Sequence, residues 1–174
     1  MIIGAEIIGQ PYSGEYKEVI YDIPCIHWKS EYWGWVRFTN QDYSEWCGDF
    51  RGKILGVEMS KRFNSILILT TDCLFVLDKT TGELIDNNVR PEYEQLTLSP
   101  LEEYILVSYG EILIIKDSTN DLVKVNIPSN VYSVKFLEWQ GHNLILKFED
   151  CNGIDMYSNV SLDSKTYEIV LNNT

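Results

Sequence analysis

The sequence predicts an all-β protein of antiparallel sheets arranged as stacked β-meander repeats, with at most one or two short helices. Three observations carry that prediction. Ile66–Leu69 and Leu74–Leu77 are nearly continuous apolar runs, the composition of strands covered on both faces. A strand-and-turn pattern recurs about every 39 residues after Ile54. Aromatic residues make up 13% of the chain, with eleven Tyr and five Trp, and such residues favour strands.

Taken in order, Ile2–Ile8 reads as a strand, followed by a Gly/Pro/Ser loop around Gln10–Gly14. A second strand runs over Tyr16–Tyr21, with Asp22-Ile23-Pro24 closing it. Cys25-Ile26-His27-Trp28 starts another extended piece. Along Glu31–Phe38, alternation places Trp33, Trp35 and Arg37 on one face and Tyr32, Val36 and Phe38 on the other. Thr39–Gly52 is the least strand-like stretch and predicts a short helix. Thr39 or Asn40 would cap it, Tyr43 and Trp46 would share a face, and Gly48 would end it.

From Ile54 the repeats follow. Val57–Ser60, Ser65–Ile68 and Leu74–Asp78 have counterparts at Leu96–Ser99, Tyr104–Val107 and Leu113–Asp117. A third copy runs through Val134–Phe136, Asn143–Leu146 and Gly153–Met156. Within the first copy, Thr71-Asp72 and Lys79–Gly82 are turns. There Asp78 offers an acceptor to nearby amides and Gly82 tolerates positive φ. A unit of this length resembles a β-propeller blade, and Leu74–Leu84 resembles the outer hairpin of a quinoprotein-type blade. The Gly-His and Trp-Asp signatures of the tryptophan-aspartate repeat are absent, and the length excludes a closed ring of six or seven blades. The domain reading is one domain over 1–174, with an N-terminal β segment and aromatic-rich loop (1–53) followed by three propeller-like repeats (54–170).

The net charge is −12 and the sequence pI about 4.5. Such a chain is repelled by nucleic acid and anionic membranes and attracts a basic partner. Glu83–Asp121 holds nine acidic residues against Arg90 and Lys116, a net −7 in the middle repeat and its flanks. On a blade model Glu102, Glu103, Asp117 and Asp121 project together from one end of the sheet as a partner-binding rim. A second acidic group, Asp42, Glu45 and Asp49, lies beside Trp46.

Catalytic signatures are lacking. His27 and His142 are the two histidines, too few for a convincing triad, and no Gly-rich phosphate loop or EF-hand ligand order occurs. Cys25 and His27 would share a strand face as a thiol–imidazole pair or half a metal site, but a buried Cys beside a partly exposed His explains them better. His142 reads as a solvated hairpin residue, and the Asn159-Val160-Ser161 sequon carries no weight. Cys25, Cys47, Cys73 and Cys151 contain no CxxC pair, and Met1–Gln10 lacks a basic signal-peptide region. The expectation is a cytoplasmic protein with reduced, unmetallated thiols, no cofactor and no enzymatic activity.

Trp33–Asn40, Glu45–Gly52 and Ile66–Asp72 together resemble small bacterial immunity proteins of contact-dependent inhibition and other polymorphic toxin systems. That resemblance implies a single-domain inhibitor that occludes a cognate, basic, nuclease-type toxin domain. Its carboxylates would stand in for RNA phosphates, and aromatic anchors would fill the toxin cleft. A propeller-like interaction scaffold without a toxin partner is the alternative, and a carbohydrate-active enzyme with paired carboxylates is a third reading.

Overall fold

In the computed structural model the described residues are 1–23, 30–89, 92–119, 121–157 and 160–171. Cys25, His27, Arg90 and Asn159 lie outside them. The fold is all-β, and among the described residues there is no helix. The chain forms two compact units, Met1–Pro91 and Glu92–Thr174.

The first unit holds two four-stranded sheets. One comprises β1 (Ile2–Ile8), β2 (Lys17–Tyr21), β3 (Trp33–Asn40) and β4 (Glu45–Arg51) in the order β1-β3-β4-β2. Its β2–β4 pair is parallel and the others are antiparallel. The second is an antiparallel meander of β5 (Ile54–Ser60), β6 (Ser65–Thr70), β7 (Leu74–Asp78) and β8 (Leu84–Asn88). Every residue of β6 is buried, as are the first four of β7, which is what their unbroken apolar runs require.

The second unit repeats the meander twice. Its sheets are β9 (Tyr93–Leu98), β10 (Tyr104–Ser108), β11 (Glu111–Ile115), β12 (Leu122–Lys124), and β13 (Ser133–Gln140), β14 (Asn143–Glu149), β15 (Val160–Asp163), β16 (Ile169–Leu171). These three meanders have the strand number and connectivity of propeller blades. The N-terminal segment is more than a prelude to the repeats, because it forms a fourth sheet with its own strand order.

The short helix expected over 39–52 is instead a β-hairpin. Asn40 N–H donates to Ser44 O and Tyr43 N–H to Asn40 O, with Tyr43 at φ 64°, and β4 then pairs with β3 from Glu45 to Arg51. Packing overrides the local capping signal. Phe38, Trp46 and Phe50 all turn inward and stack or meet edge-on, Phe38–Trp46 at 4.4 Å and Phe38–Phe50 at 6.4 Å. Gly48, far from ending an element, sits mid-strand beneath these rings. A Cβ there would lie 2.7 Å from Phe50 and 2.9 Å from Phe38.

Each unit has its own core. In the first, Ile2, Val36, Phe38, Phe50, Ile66, Ile68, Phe75 and Leu77 from both sheets are wholly or almost wholly buried. Each such side chain contributes about 1.5–3 kcal/mol relative to exposure. Ile105, Val107, Ile112, Ile114, Leu144, Leu146, Phe148 and Leu162 do the same in the second.

Candidate functional site

A cleft of about 1040 Å³ in the first unit lies where the β3–β4 and β7–β8 turns meet the inner face of β2. Strand alternation puts Val19, Tyr21 and Trp46 on its floor, with Leu84 beside them. Trp46 is fixed from both sides. Its ring stacks on Phe38, and its far edge lies against Gly82, whose φ of 78° a glycine adopts without strain. Tyr21 stacks on Phe50 at 4.6 Å and its hydroxyl donates to Gly82 O at 2.6 Å. Burial pushes that phenol's pKa up, so it stays a neutral donor.

Asp42, Glu45, Glu83 and Lys17 line the cleft. Glu45 is next to Trp46 on β4, so its side chain turns to the opposite face of the sheet, and Asp42 and Glu83 are the carboxylates left at the rim. Ser44 donates to Asp42 Oδ1 from its hydroxyl at 2.6 Å and its amide at 3.1 Å. Those bonds, the hydroxyl first, hold the carboxyl below its ordinary pKa, which keeps it ionised. Glu45 sits 3.7 Å from Arg37 Nε. A fixed negative rim around an aromatic floor suits charge recognition better than proton transfer.

Asp49 does not join this group. Trp46 and Asp49 are three apart on a strand, so they lie on opposite faces, whereas a helix would have brought them together. On the outer face Asp49 pairs in register with Trp35. There it borders a smaller hollow of about 230 Å³ with Glu18, Ile20, Trp33 and Trp35.

In the second unit, Glu102, Asp117 and Asp121 lie in the β9–β10 and β11–β12 turns, which share one end of their sheet. Asp117 and Asp121 are exposed. Glu103 departs from the expected rim, being 3% exposed. Glu102, at φ 63°, completes the turn, and Glu103 O already accepts from Ser99 N–H, so its side chain lies back over the sheet. There Lys116 Nζ donates to Glu103 at 3.1 Å and to the Tyr167 hydroxyl at 2.6 Å, while that hydroxyl donates to Glu103. Burial works to lower the Lys116 pKa, and the hydrogen bonds to Tyr167 and Glu103 outweigh it, so the net direction is up. Glu103 is a partner of Lys116 within the fold.

Among the described residues, Cys47 and Cys73 are buried thiols with pKa pushed up to about 12, chiefly by burial, and Cys151 is exposed. No cluster of described residues suits a metal ion. His142 is an exposed turn residue. Lys17, Tyr21 and Glu83 belong to the cleft but were not read from the sequence. The alternation Lys17-Glu18-Val19-Ile20-Tyr21 held the signal for the first two, and only the turn geometry brings in Glu83.

These features define a class: an all-β protein of propeller-like meander sheets with an acidic-rimmed aromatic cleft. No protein-family model matches the chain, and no curated protein matches it. Among solved structures it is similar to a protein of unknown function from Bacteroides caccae, at 11% identity over 81% of this chain and 59% of that one, with a TM-score of 0.49. It is also similar to the WD40 domain of SCAP from fission yeast, at 14% identity over 80% of this chain and 39% of that one, with a TM-score of 0.40. The chain spans less than two thirds of either structure, and at these scores neither likeness bears on function.

Proposed function

We propose that the chain is a non-catalytic binding protein whose first unit takes a basic protein partner in its cleft. The observation that supports this reading is the cleft itself, in which Trp46 and Tyr21 form an aromatic floor inside a rim of Asp42 and Glu83. Aromatic floors of this kind supply the anchoring pocket of an interface, and rim charge sets on-rate and partner choice. In its most specific form the partner is a basic nuclease-type toxin domain, and binding there occludes the toxin's RNA site. The interaction scaffold is the same binding chemistry with a different partner. Asp117 and Asp121 offer a second acidic patch in the other unit.

The test is co-expression with the toxin domain encoded in the same operon, scored by growth, together with association kinetics at two salt concentrations. The double variant Asp42→Lys, Glu83→Lys should slow association about tenfold or more and lose salt dependence, with the fold retained. The pair Asp117→Lys, Asp121→Lys should change it less. Unaltered kinetics in the Asp42→Lys, Glu83→Lys variant would reject the cleft, and failure of the native chain to bind or rescue would reject the toxin-inhibitor form.

A further inference from the structure

The outer face of the first sheet carries chemistry that the cleft does not use. Trp33 and Trp35 stand two apart on β3 and share that face, with Glu18 and Ile20 of β2 and Asp49 of β4 beside them. Together with Gln10 and Pro11 they enclose the hollow of about 230 Å³. Strand parity sets it on the side of the sheet opposite Val19, Tyr21 and Trp46.

Among the described residues of this face, two carboxylates lack an ion pair. Arg51 is engaged by Asp22 at 2.9 and 3.1 Å, and Arg37 by Glu6 and Glu45. Among the described residues, neither Glu18 nor Asp49 forms an ion pair. The neighbouring Cys47 thiol donates to Gly48 O at 3.8 Å, and Asp49 Oδ1 is buried with no hydrogen-bond partner. An uncompensated buried carboxylate oxygen costs several times what a paired one does. Burial first, and then the Glu18 charge, raise the Asp49 pKa, which is the response of a carboxylate lacking a counterion. The face already satisfies one cation in this manner, because the Arg51 guanidinium lies 3.8 Å over the Trp33 ring.

We propose that this hollow is a binding site for an organic cation, a guanidinium or alkylammonium group, held between the Trp35 ring and the Asp49 and Glu18 carboxylates. Trp35 supplies the ring face, and the Asp49 and Glu18 carboxylates that line the hollow supply the negative charge. The volume admits one such group with a short stem. A neutral sugar would also stack on tryptophan, but it leaves two carboxylates without a counterion, and a cation does not. The group reaches the site either as an arginine or lysine side chain of a protein or as a free small molecule.

The experiment follows the tryptophan indole N–H resonances of the full-length protein during titration. The probes are methylguanidinium chloride, its neutral isostere methylurea, methyl glucoside, and a blocked Gly-Arg-Gly peptide, with sodium chloride as the ionic-strength control. A fragment this small should bind in roughly the millimolar range. Methylguanidinium should move Trp35 saturably and leave Trp46 in place, while methylurea and sodium chloride move neither. Asp49→Asn should weaken binding about tenfold or more with no loss of stability, since it removes an uncompensated charge. Tighter binding of the peptide than of methylguanidinium assigns a protein source, and equal or weaker binding assigns a free cation. Shifts with methyl glucoside or methylurea of the same size overturn the proposal, and so does an Asp49→Asn variant that binds methylguanidinium as well as the native chain. Movement of Trp46 in place of Trp35 also overturns it, by placing the cation in the cleft. The cleft reading fails separately, in the kinetics of its own double variant.

Discussion

The β7–β8 turn of the first unit and the β15–β16 turn of the second are one backbone device carrying two different side chains. In Asp78–Glu83 and in Asp163–Glu168 the aspartate Oδ1 accepts two turn amides, from Thr80 and Thr81 in one and from Lys165 and Thr166 in the other. Both close with an amide in the left-handed region donating 2.8 Å to the aspartate carbonyl. That position is Gly82 in the first turn and Tyr167, at φ 59°, in the second. Glycine leaves room for the Trp46 ring, so the turn walls an open, aromatic cleft. Tyrosine pays a left-handed cost of about 1–2 kcal/mol and spans to Glu103 and Lys116 of the neighbouring sheet. Hydrogen bonds to charged groups contribute about 1.5–3 kcal/mol, enough to hold the strained residue in place. One turn thus supports an open site where its left-handed residue is bare and a polar tie between sheets where it is not.

The largest effect should come from breaking that tie at its cation. Lys116→Met removes the Lys116 counterion from the nearly buried Glu103 carboxylate and should cost about 3 kcal/mol, read as a fall in the urea midpoint. The double variant Lys116→Met, Glu103→Leu should recover most of it, because replacing both charges removes the one left without its counterion. No recovery would mean that the triad contributes through packing alone. Tyr167→Phe keeps the ring, including its contact 3.9 Å from Lys116 Nζ, and loses only the hydroxyl. It should cost about 2 kcal/mol. A negligible loss would show that the polar tie does not offset the strain at this turn.

Gly82→Ala addresses the other copy. The new methyl would meet Trp46 Cζ2 at 2.8 Å on a backbone at φ 78°, and a cost of about 1–2 kcal/mol is expected. Trp46 fluorescence should change with it, since the ring must move toward the cleft. An alanine tolerated without either effect would break the parallel between spatial fit and the open site.

How far this comparison was legible in the sequence depends on the range of the interactions. Asp78 with Gly82 marks the first turn unaided, because both signals act within a few residues. The second turn, Asp163-Ser164-Lys165-Thr166-Tyr167-Glu168, matches it at Asp, Thr and Glu but puts tyrosine where glycine is expected, so its left-handed residue is hidden. The apolar runs of β6 and β7 and the first two copies of the repeat after Ile54 declared themselves through local composition, whereas the third copy was misplaced at Gly153–Met156, the third strand of its sheet being β15. The β3–β4 hairpin did not, because ring packing among Phe38, Trp46 and Phe50 decides against the capping residues at Thr39 and Asn40. The site was affected too, because Asp49 was grouped with Trp46 by proximity in sequence and the strand sets them on opposite faces. Glu103 misled for a related reason. Its partners Lys116 and Tyr167 lie 13 and 64 residues away, and nothing local distinguishes it from half-buried Glu102.

The smallest expected effect separates the two aspartates that open these turns. Asp78 is held below its ordinary pKa near 3.8 by the amides of Thr81 and Thr80, and Asp163 by those of Lys165 and Thr166. A folded-state pKa below the unfolded one means that each carboxylate stabilises the fold above about pH 4. That contribution fades as pH falls through the folded value. Asp78→Asn and Asp163→Asn should therefore each lower stability at neutral pH and flatten its decline on acidification. The two should differ in salt. Lys165 and His142 add a Coulombic share at Asp163, whereas at Asp78 hydrogen bonds alone lower the pKa, against the opposing effect of burial. Raising the ionic strength should shrink the Asp163→Asn effect and leave the Asp78→Asn effect in place, because screening acts on the exposed charges and hardly on a short amide hydrogen bond. Urea midpoints between pH 3 and pH 7, at low and high sodium chloride, read this directly. Equal salt responses in the two variants would show that the turn amides alone set both pKa values, and that the two copies differ only at their left-handed residue.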